Sequence, residues 1–194
     1  MGFKKPYIVF LVLMVLGLSV FYMIQLGYYP VAIVGSSVIS EHSYRESLLS
    51  AEHYYAQLEK KYVSGETPER IPENIAELRR LMLDQMIENV LIETELQEEL
   101  GSSVSDLVEK KFEPLDVSSR EFREGVTALY GMSVERFRDL ILEPRARAEI
   151  LEEHVIAEDS QFSDWSSESR KDARVFVFAR DLMWDGERVV FRDM

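Results

Sequence analysis

The side-chain types that most often carry out chemistry occur in this chain without the spacing that catalysis or metal binding requires. The three histidines, His42, His53 and His154, are far apart, and none belongs to a His-x-x-x-His or His-x-x-Glu pair. We therefore expect surface histidines and no metal site. The absence of cysteine excludes disulfides, thiolate nucleophiles and lipid-modified cysteines.

Carboxylates and serines do not form a recognisable catalytic arrangement either. The sequence contains no Gly-x-Ser-x-Gly motif, and its nine glycines are scattered singly, so a glycine-rich phosphate loop is absent. An acidic cluster near the C-terminal end lacks the alternating oxygen ligands and the following glycine of a calcium loop. It consists of Glu158, Asp159, Asp164 and Glu168. We expect no catalytic residue, no cofactor and no enzymatic activity.

Aromatic and methionine side chains are more informative, because they are numerous for a small helical domain. Most of them belong to a core, but helices arranged as a cradle would leave some lining an apolar groove. Methionine suits such a groove because its flexible side chain adapts to different ligands. The predicted groove residues are Tyr44, Tyr55, Met82, Met86, Phe122, Tyr130, Met132 and Phe137.

Charge and length restrict the possible partners. The 194 residues include 35 acidic and 22 basic side chains, for a net charge of −13. Such a surface repels phosphate backbones, so we expect no nucleic-acid partner. The length accommodates one ordinary domain and a membrane segment, but no second catalytic domain.

An uncharged apolar stretch over residues 7–29 predicts a transmembrane helix. Lys4 and Lys5 precede it and no basic residue follows before Arg45, so residues 1–6 are predicted to be a cytoplasmic tail. The alternative is a cleaved signal peptide, which also begins with a basic region and an apolar stretch. Both interpretations export the remaining chain, and the first predicts a single-pass protein of the cell membrane.

The exported part is predicted to be mainly α-helical, with a domain over residues 31–157. Two short strands, 31–34 and 38–40, flank a tight turn and precede a helix capped by Ser40. Gly65, Pro68 and Pro72 predict a loop after this helix. Further helices are predicted over residues 73–100, 105–112 and 118–130, and from the cap at Ser133, with Pro144 kinking or dividing the last one.

The helix over residues 73–100 is predicted to end at a glycine cap, Gly101. Its centre is apolar on most of its circumference, so we expect it to be the central helix, contacted on several sides. The last helix is predicted to carry Leu140 among its apolar residues.

The C-terminal residues change in character. Residues 158–173 are polar and serine-rich, which predicts a linker, and residues 174–194 predict a β-hairpin around Asp185-Gly186. Because two strands alone are marginally stable in water, we expect the hairpin to join the N-terminal strands in one small antiparallel sheet.

The order of these elements resembles the N-terminal domain of the SurA-like chaperones, which include the PpiD-type and PrsA-type foldases. The resemblance covers residues 31–151. It rests on the segments VAIVGSSVIS, LRRLMLDQMIENVLIETELQEELG, SVSDLVEKKF and EFREGVTALYGMSVERFRDLILEPRARAEIL.

This resemblance implies a membrane-anchored extracytoplasmic chaperone that holds unfolded or translocating secreted and membrane proteins, in association with the translocation machinery. The parvulin prolyl-isomerase domain of many relatives is missing, so no isomerase activity is implied. The alternative function is a non-catalytic membrane adaptor or structural subunit that binds one folded partner protein.

Overall fold

The structure is a computed structural model that describes residues 5–61, 74–157 and 161–192. It is mainly helical, with small antiparallel sheets, as predicted. The helices are α1 (Lys5–Gln25), α2 (Glu41–Lys61), α3 (Ile75–Leu100), α4 (Ser103–Phe112), α5 (Arg120–Tyr130), α6 (Val134–Phe137), α7 (Glu143–Ala157) and α8 (Phe162–Asp172). The strands are β1 (Pro30–Val34), β2 (Ser37–Ser40), β3 (Val175–Val177), β4 (Leu182–Trp184) and β5 (Val189–Phe191).

Helix α1 ends four residues before the predicted end of the apolar stretch, because Gly27 turns the chain with a φ of +76°. The N–H of His42 donates to the Gly27 carbonyl oxygen at 2.8 Å, and this bond joins the turn to the start of α2. Among the described residues, no helix is both long enough and apolar enough to cross a membrane. The transmembrane helix predicted over residues 7–29 is therefore not supported by the fold.

The two ends of the described chain meet in a three-stranded antiparallel sheet of order β2-β1-β3. This meeting was predicted, but the pairing differs in detail. Strand β3 pairs with β1 instead of forming a hairpin, and the C-terminal hairpin is β4-β5, a separate two-stranded sheet. In its turn, the Asp185 carboxylate accepts hydrogen bonds of 2.9 Å from the N–H groups of Glu187 and Arg188. These two bonds stabilise the turn that joins β4 to β5.

Helix α3 is the central element, as its nearly continuous apolar circumference predicted. Its first half packs Leu83 and Ile87 against the sheets, and its second half packs Ile92 and Leu96 against α4 and α7. All four side chains are at most 2% exposed. The predicted caps are also present: Ser40 accepts a hydrogen bond from the N–H of Ser43 at 3.1 Å, and α3 ends at Gly101.

Pro144 lies in the first turn of α7, and a π-helical segment separates this helix from α6. Between α6 and α7, residues Arg138–Leu142 form a π-helical segment, and the N–H of Glu143 donates to the carbonyl oxygen of Arg138. Proline has no N–H for the preceding turn, so a widened turn accommodates the missing bond. The prediction left a kink and a break open, and the structure has a π-helical junction.

The polar stretch predicted as a linker over residues 158–173 contains helix α8, so the linker assignment is wrong for residues 162–172. Phe162 and Trp165 pack onto the second half of the core, which a linker would not do. In the acidic cluster, Asp164 and Glu168 lie on α8, whereas Glu158 and Asp159 lie outside the described residues. The loop predicted around Gly65, Pro68 and Pro72 also lies outside them.

Candidate binding groove

Two adjacent cavities lie between α2 and the segment that runs from α5 to α7, with α3 as their floor. The first, here called the aromatic cavity, has a volume of about 180 Å³, and the second, the strand-side cavity, has about 230 Å³. Ser47 and Leu140 line both of them, so the two cavities are adjacent, and together they are here called the groove. Met82 and Met86, one helical turn apart on α3, contribute to its floor.

The aromatic cavity is mostly apolar. It is lined by Ser47, Ser50, Ala51, Tyr54, Tyr55, Met82, Tyr130, Met132, Leu140 and Ile141. The strand-side cavity is more polar and reaches the edge of the three-stranded sheet. Its lining is Val38, Ile39, Ser43, Ser47, Met86, Asn89, Val90, Glu93, Asp139, Leu140, Pro144 and Arg147.

The structure places five of the eight predicted groove residues on this lining. Four surround the aromatic cavity, and the fifth lies in the strand-side cavity; they are Tyr55, Met82, Tyr130 and Met132, and Met86. All five side chains are partly exposed, and they lie where α2, α3 and the end of α5 meet.

The other three predicted residues lie away from the groove lining. Tyr44 is 3% exposed in the sheet-side core, where its hydroxyl donates to the Arg79 carbonyl oxygen at 2.9 Å. Burial raises the pKa of this hydroxyl above its ordinary value of 10.0. Phe137 is also buried, and Phe122 packs edge-on against it with ring centroids 6.1 Å apart. Phe122 and Phe137 thus support the wall of the groove from behind.

An aromatic cluster holds α2 against α5 beside the aromatic cavity. Tyr54 stacks on Tyr130 with ring centroids 5.0 Å apart, and Tyr130 contacts Phe137 at 4.7 Å. The Ser50 hydroxyl also donates to the Tyr130 carbonyl oxygen at 3.3 Å. Burial raises the pKa of the Tyr130 hydroxyl above 10.0. Because the rings are mutually packed, this end of the groove has a defined shape.

Sequence reasoning missed the small residues that make room for the groove. Ser47, Ser50, Ala51 and Tyr54 follow one another on α2 at steps of three, one and three, so they share one helix face. Small side chains followed by an aromatic residue on one helix face indicate a concave surface, so this pattern could have predicted the groove. Leu140 was assigned only to an apolar helix face, because its place on the groove wall depends on the π-helical segment.

An ion pair joins α2 to α6 beside the groove. The Arg136 guanidinium donates to both carboxylate oxygens of Glu46, with a distance of 2.6 Å between Nε and Oε1, and thereby joins α6 to α2. This hydrogen bonding lowers the pKa of Glu46 below its ordinary value of 4.5. Both side chains are partly exposed, so the pair orients the two helices more than it stabilises the fold.

A second concave surface, of about 590 Å³, lies between α8 and the β4-β5 hairpin. Its central side chain, Arg170, contacts the carboxylates of Asp84 at 3.3 Å and Glu88 at 3.1 Å. Asp84 also accepts a hydrogen bond of 2.8 Å from the Val189 N–H. These polar groups are paired with one another, so this surface attaches α8 and the hairpin to α3. Within the described ranges, no three His, Cys, Asp or Glu side chains are grouped to hold a metal ion.

A flat apolar face lies on the outer side of the three-stranded sheet. Val38, Ile33 and Phe176 are cross-strand neighbours in one row, because Ile33 is opposite both Val38 and Phe176. Val38 is 59% exposed and Phe176 is 63% exposed. Val38 also lines the strand-side cavity, so this face adjoins the groove, whose floor is formed by α3.

Comparisons of the chain with protein-family models, with curated proteins and with solved structures found no match.

Proposed function

We propose that this protein is a holdase-type chaperone whose groove binds apolar segments of unfolded polypeptides, without prolyl-isomerase activity. The observation that carries the proposal is the pair of adjacent cavities between α2 and the α5–α7 segment, with Met82 and Met86 on their floor and three tyrosines at one end. We propose a relationship to the SurA-like chaperones on two grounds, the groove and the sequence resemblance.

The chemistry of the lining suits a ligand that is apolar but variable in sequence. Methionine side chains change rotamer at low cost, so they contact differently shaped apolar groups. Tyrosines supply rigid apolar surface with a polar tip. A client chain loses conformational freedom when it binds, so each individual client is expected to bind weakly. Weak and general affinity is what a holdase requires.

A holdase assay tests this proposal. The fragment of residues 31–194 is added at increasing ratio to several unrelated proteins that aggregate on heating, and light scattering is followed without nucleotide. We expect suppression of aggregation at near-stoichiometric ratios for each client. If no client is protected, the chaperone proposal is wrong.

Attachment to the cell membrane through residues 7–29 belongs to the same proposal. It is supported by the absence of charge in this stretch and by the exposure of apolar side chains on α1, such as Phe10 at 68%, Leu13 at 62% and Phe21 at 61%. Apolar side chains exposed on a helix are stable in contact with lipid or another apolar surface.

Carbonate extraction of expressing cells tests the attachment. We expect the full chain to stay in the membrane pellet and the fragment of residues 31–194 to be released into the supernatant. Release of the full chain at alkaline pH would contradict a membrane-spanning anchor. An alkaline-phosphatase fusion at the C-terminus tests the orientation separately, because the enzyme is active only when the C-terminus is extracytoplasmic.

A second candidate function is an adaptor that binds one folded partner through the flat apolar sheet face of Ile33, Val38 and Phe176. The exposed Phe176 side chain favours it. The Phe176→Asp variant separates the two functions in the holdase assay. Unchanged client protection places the chaperone activity in the groove, whereas loss of protection in a folded variant assigns client binding to the sheet face.

A further inference from the structure

Strand β2 forms one free edge of the three-stranded sheet and borders the groove. The sheet order is β2-β1-β3, and Val38 and Ile39 of β2 line the strand-side cavity. In the described part of the chain no strand pairs with the outer edge of β2. An unpaired strand edge offers N–H and C=O groups to another extended chain.

The hairpin register identifies which peptide groups face outward. Val34 and Ser37 flank a two-residue turn and form a hydrogen-bonded pair, since antiparallel pairs next to such turns do so. The next pair, Ile33 with Val38, is then of the non-hydrogen-bonded kind. The N–H and C=O of Val38 therefore point away from β1, toward the free edge. The side chain of Val38 is 59% exposed and leaves this edge accessible.

The length of the groove suits an extended segment. Its floor runs along α3 from Met82 to Glu93, which corresponds to about 16 Å of helix. An extended chain covers this distance with about five residues. A helical segment would satisfy its own backbone groups and would make no use of the free edge of β2.

The charged side chains at the strand-side end of the groove indicate which kind of residue a bound segment carries there. Three charged side chains line this cavity: Glu93, Asp139 and Arg147. Arg147 pairs with Glu143 at 3.1 Å, and Asp139 pairs with Arg136 at 3.2 Å. Among the described residues, Glu93 has no ion-pair partner. Arg136 also pairs with both carboxylate oxygens of Glu46, so the described charges at the end of the groove beside β2 have a negative excess.

We infer that the groove binds a client segment in an extended conformation, which adds as a strand to the free edge of β2 and carries a lysine or arginine at that end. This inference rests on the proposed chaperone function and specifies its substrate class. Main-chain hydrogen bonds to Val38 supply affinity that does not depend on client sequence, while the aromatic cavity takes one or two apolar side chains. Glu93 fixes the direction of the segment.

A backbone N-methylation scan tests the strand addition. The full chain in lipid nanodiscs is titrated against a fluorescein-labelled nine-residue peptide with alternating apolar residues and one terminal lysine, and anisotropy is measured. Each backbone amide of the peptide is N-methylated in turn. We expect an affinity loss of tenfold or more at one position in the lysine-bearing half, where the amide donates to the Val38 carbonyl oxygen, and losses of twofold or less at the neighbouring positions, because adjacent N–H groups of a strand face opposite sides.

The charge preference is tested with the same peptide carrying glutamate in place of lysine. We expect at least fivefold weaker binding, and we expect Glu93→Gln to remove most of this difference. Glu98→Gln, at an exposed position on the same helix, is the matched control and is expected to retain the difference.

The outcomes separate the inference from the function on which it rests. If the parent peptide does not bind at all, the proposed function fails. If the parent peptide binds but N-methylation has no effect or a uniform effect, strand addition is wrong while the chaperone proposal stands. Equal affinity for the lysine and glutamate peptides would overturn the assigned direction of the segment.

Discussion

Replacing Arg170 by methionine is expected to lower the free energy of unfolding by about 3 kcal/mol, because it leaves two carboxylates without their cation. Arg170 is 13% exposed, and its partners Asp84 and Glu88 are 20% and 21% exposed. In the variant, Asp84 keeps its hydrogen bond from Val189, and Glu88 keeps one of 2.8 Å from the Ser166 hydroxyl. Both carboxylates then lack an ion-pair partner at partly desolvated positions, where Asp84 keeps only its longer-range attraction to Arg80.

Urea unfolding followed by circular dichroism measures this effect, with Arg145→Met as the matched control. Arg145 also pairs with a glutamate, at 3.1 Å, but its side chain is 77% exposed and both residues lie on α7. An exposed pair of this kind contributes about 0.5 kcal/mol or less. Equal destabilisation by the two variants would show that the Arg170 network does not hold α8 and the hairpin in place.

Hydrogen exchange adds a local measurement. The Val189 N–H donates to Asp84, so its protection depends on the position of this carboxylate. We expect faster exchange of the Val189 amide in Arg170→Met than in Arg145→Met, whereas amides in the centre of α3 near Leu83 change less. Unchanged protection of Val189 would contradict the role of Arg170 in fixing the hairpin.

Replacing Ala51 by tryptophan is expected to weaken client binding by at least tenfold, because the indole would occupy the aromatic cavity. This cavity has a volume of about 180 Å³. Ala51 lines it from α2, together with the side chains of Tyr130 and Met82. A filled cavity has no space for a client side chain, so its apolar burial is lost. The measurement is peptide titration by fluorescence anisotropy with the full chain.

The same substitution at Ala56 provides the control. Ala56 is exposed on the same helix and does not line the groove, so a tryptophan there adds the same side chain without closing the cavity. We expect its client affinity to stay within twofold of the parent protein. Circular dichroism and the unfolding midpoint establish that both variants are folded. Unchanged binding in a folded Ala51→Trp variant would place the client site outside the aromatic cavity.

Local features of the fold could be predicted because they depend on neighbouring residues. The cap at Ser40 and the C-terminal cap at Gly101 follow from a side-chain oxygen or a glycine at the end of an apolar periodic run. The central position of α3 also follows from composition, since a helix with apolar residues on most of its circumference must be contacted on several sides.

Sequence patterns did not predict the elements that tertiary contacts stabilise. Helix α8 has a polar sequence, and its anchors are Phe162, Trp165 and the ion pairs of Arg170 with α3, so no local periodicity marked it as helix. Strand β3 was assigned to the C-terminal hairpin because it is close in sequence. It pairs instead with β1, whose register places Ile33 opposite Phe176.

For the candidate site, the sequence by itself determined which side chains are apolar and adaptable, and it placed the tyrosines and methionines on helices. Only the tertiary structure decided which of them face the groove: Tyr55, Met82 and Tyr130 line it, whereas Tyr44 is buried against the sheet. The reason is that an amphipathic stripe specifies one face of a helix, but the same apolar side chain is stable in a closed core or along a partly open cavity. The packing of α2, α3 and the π-helical segment decides between these two environments.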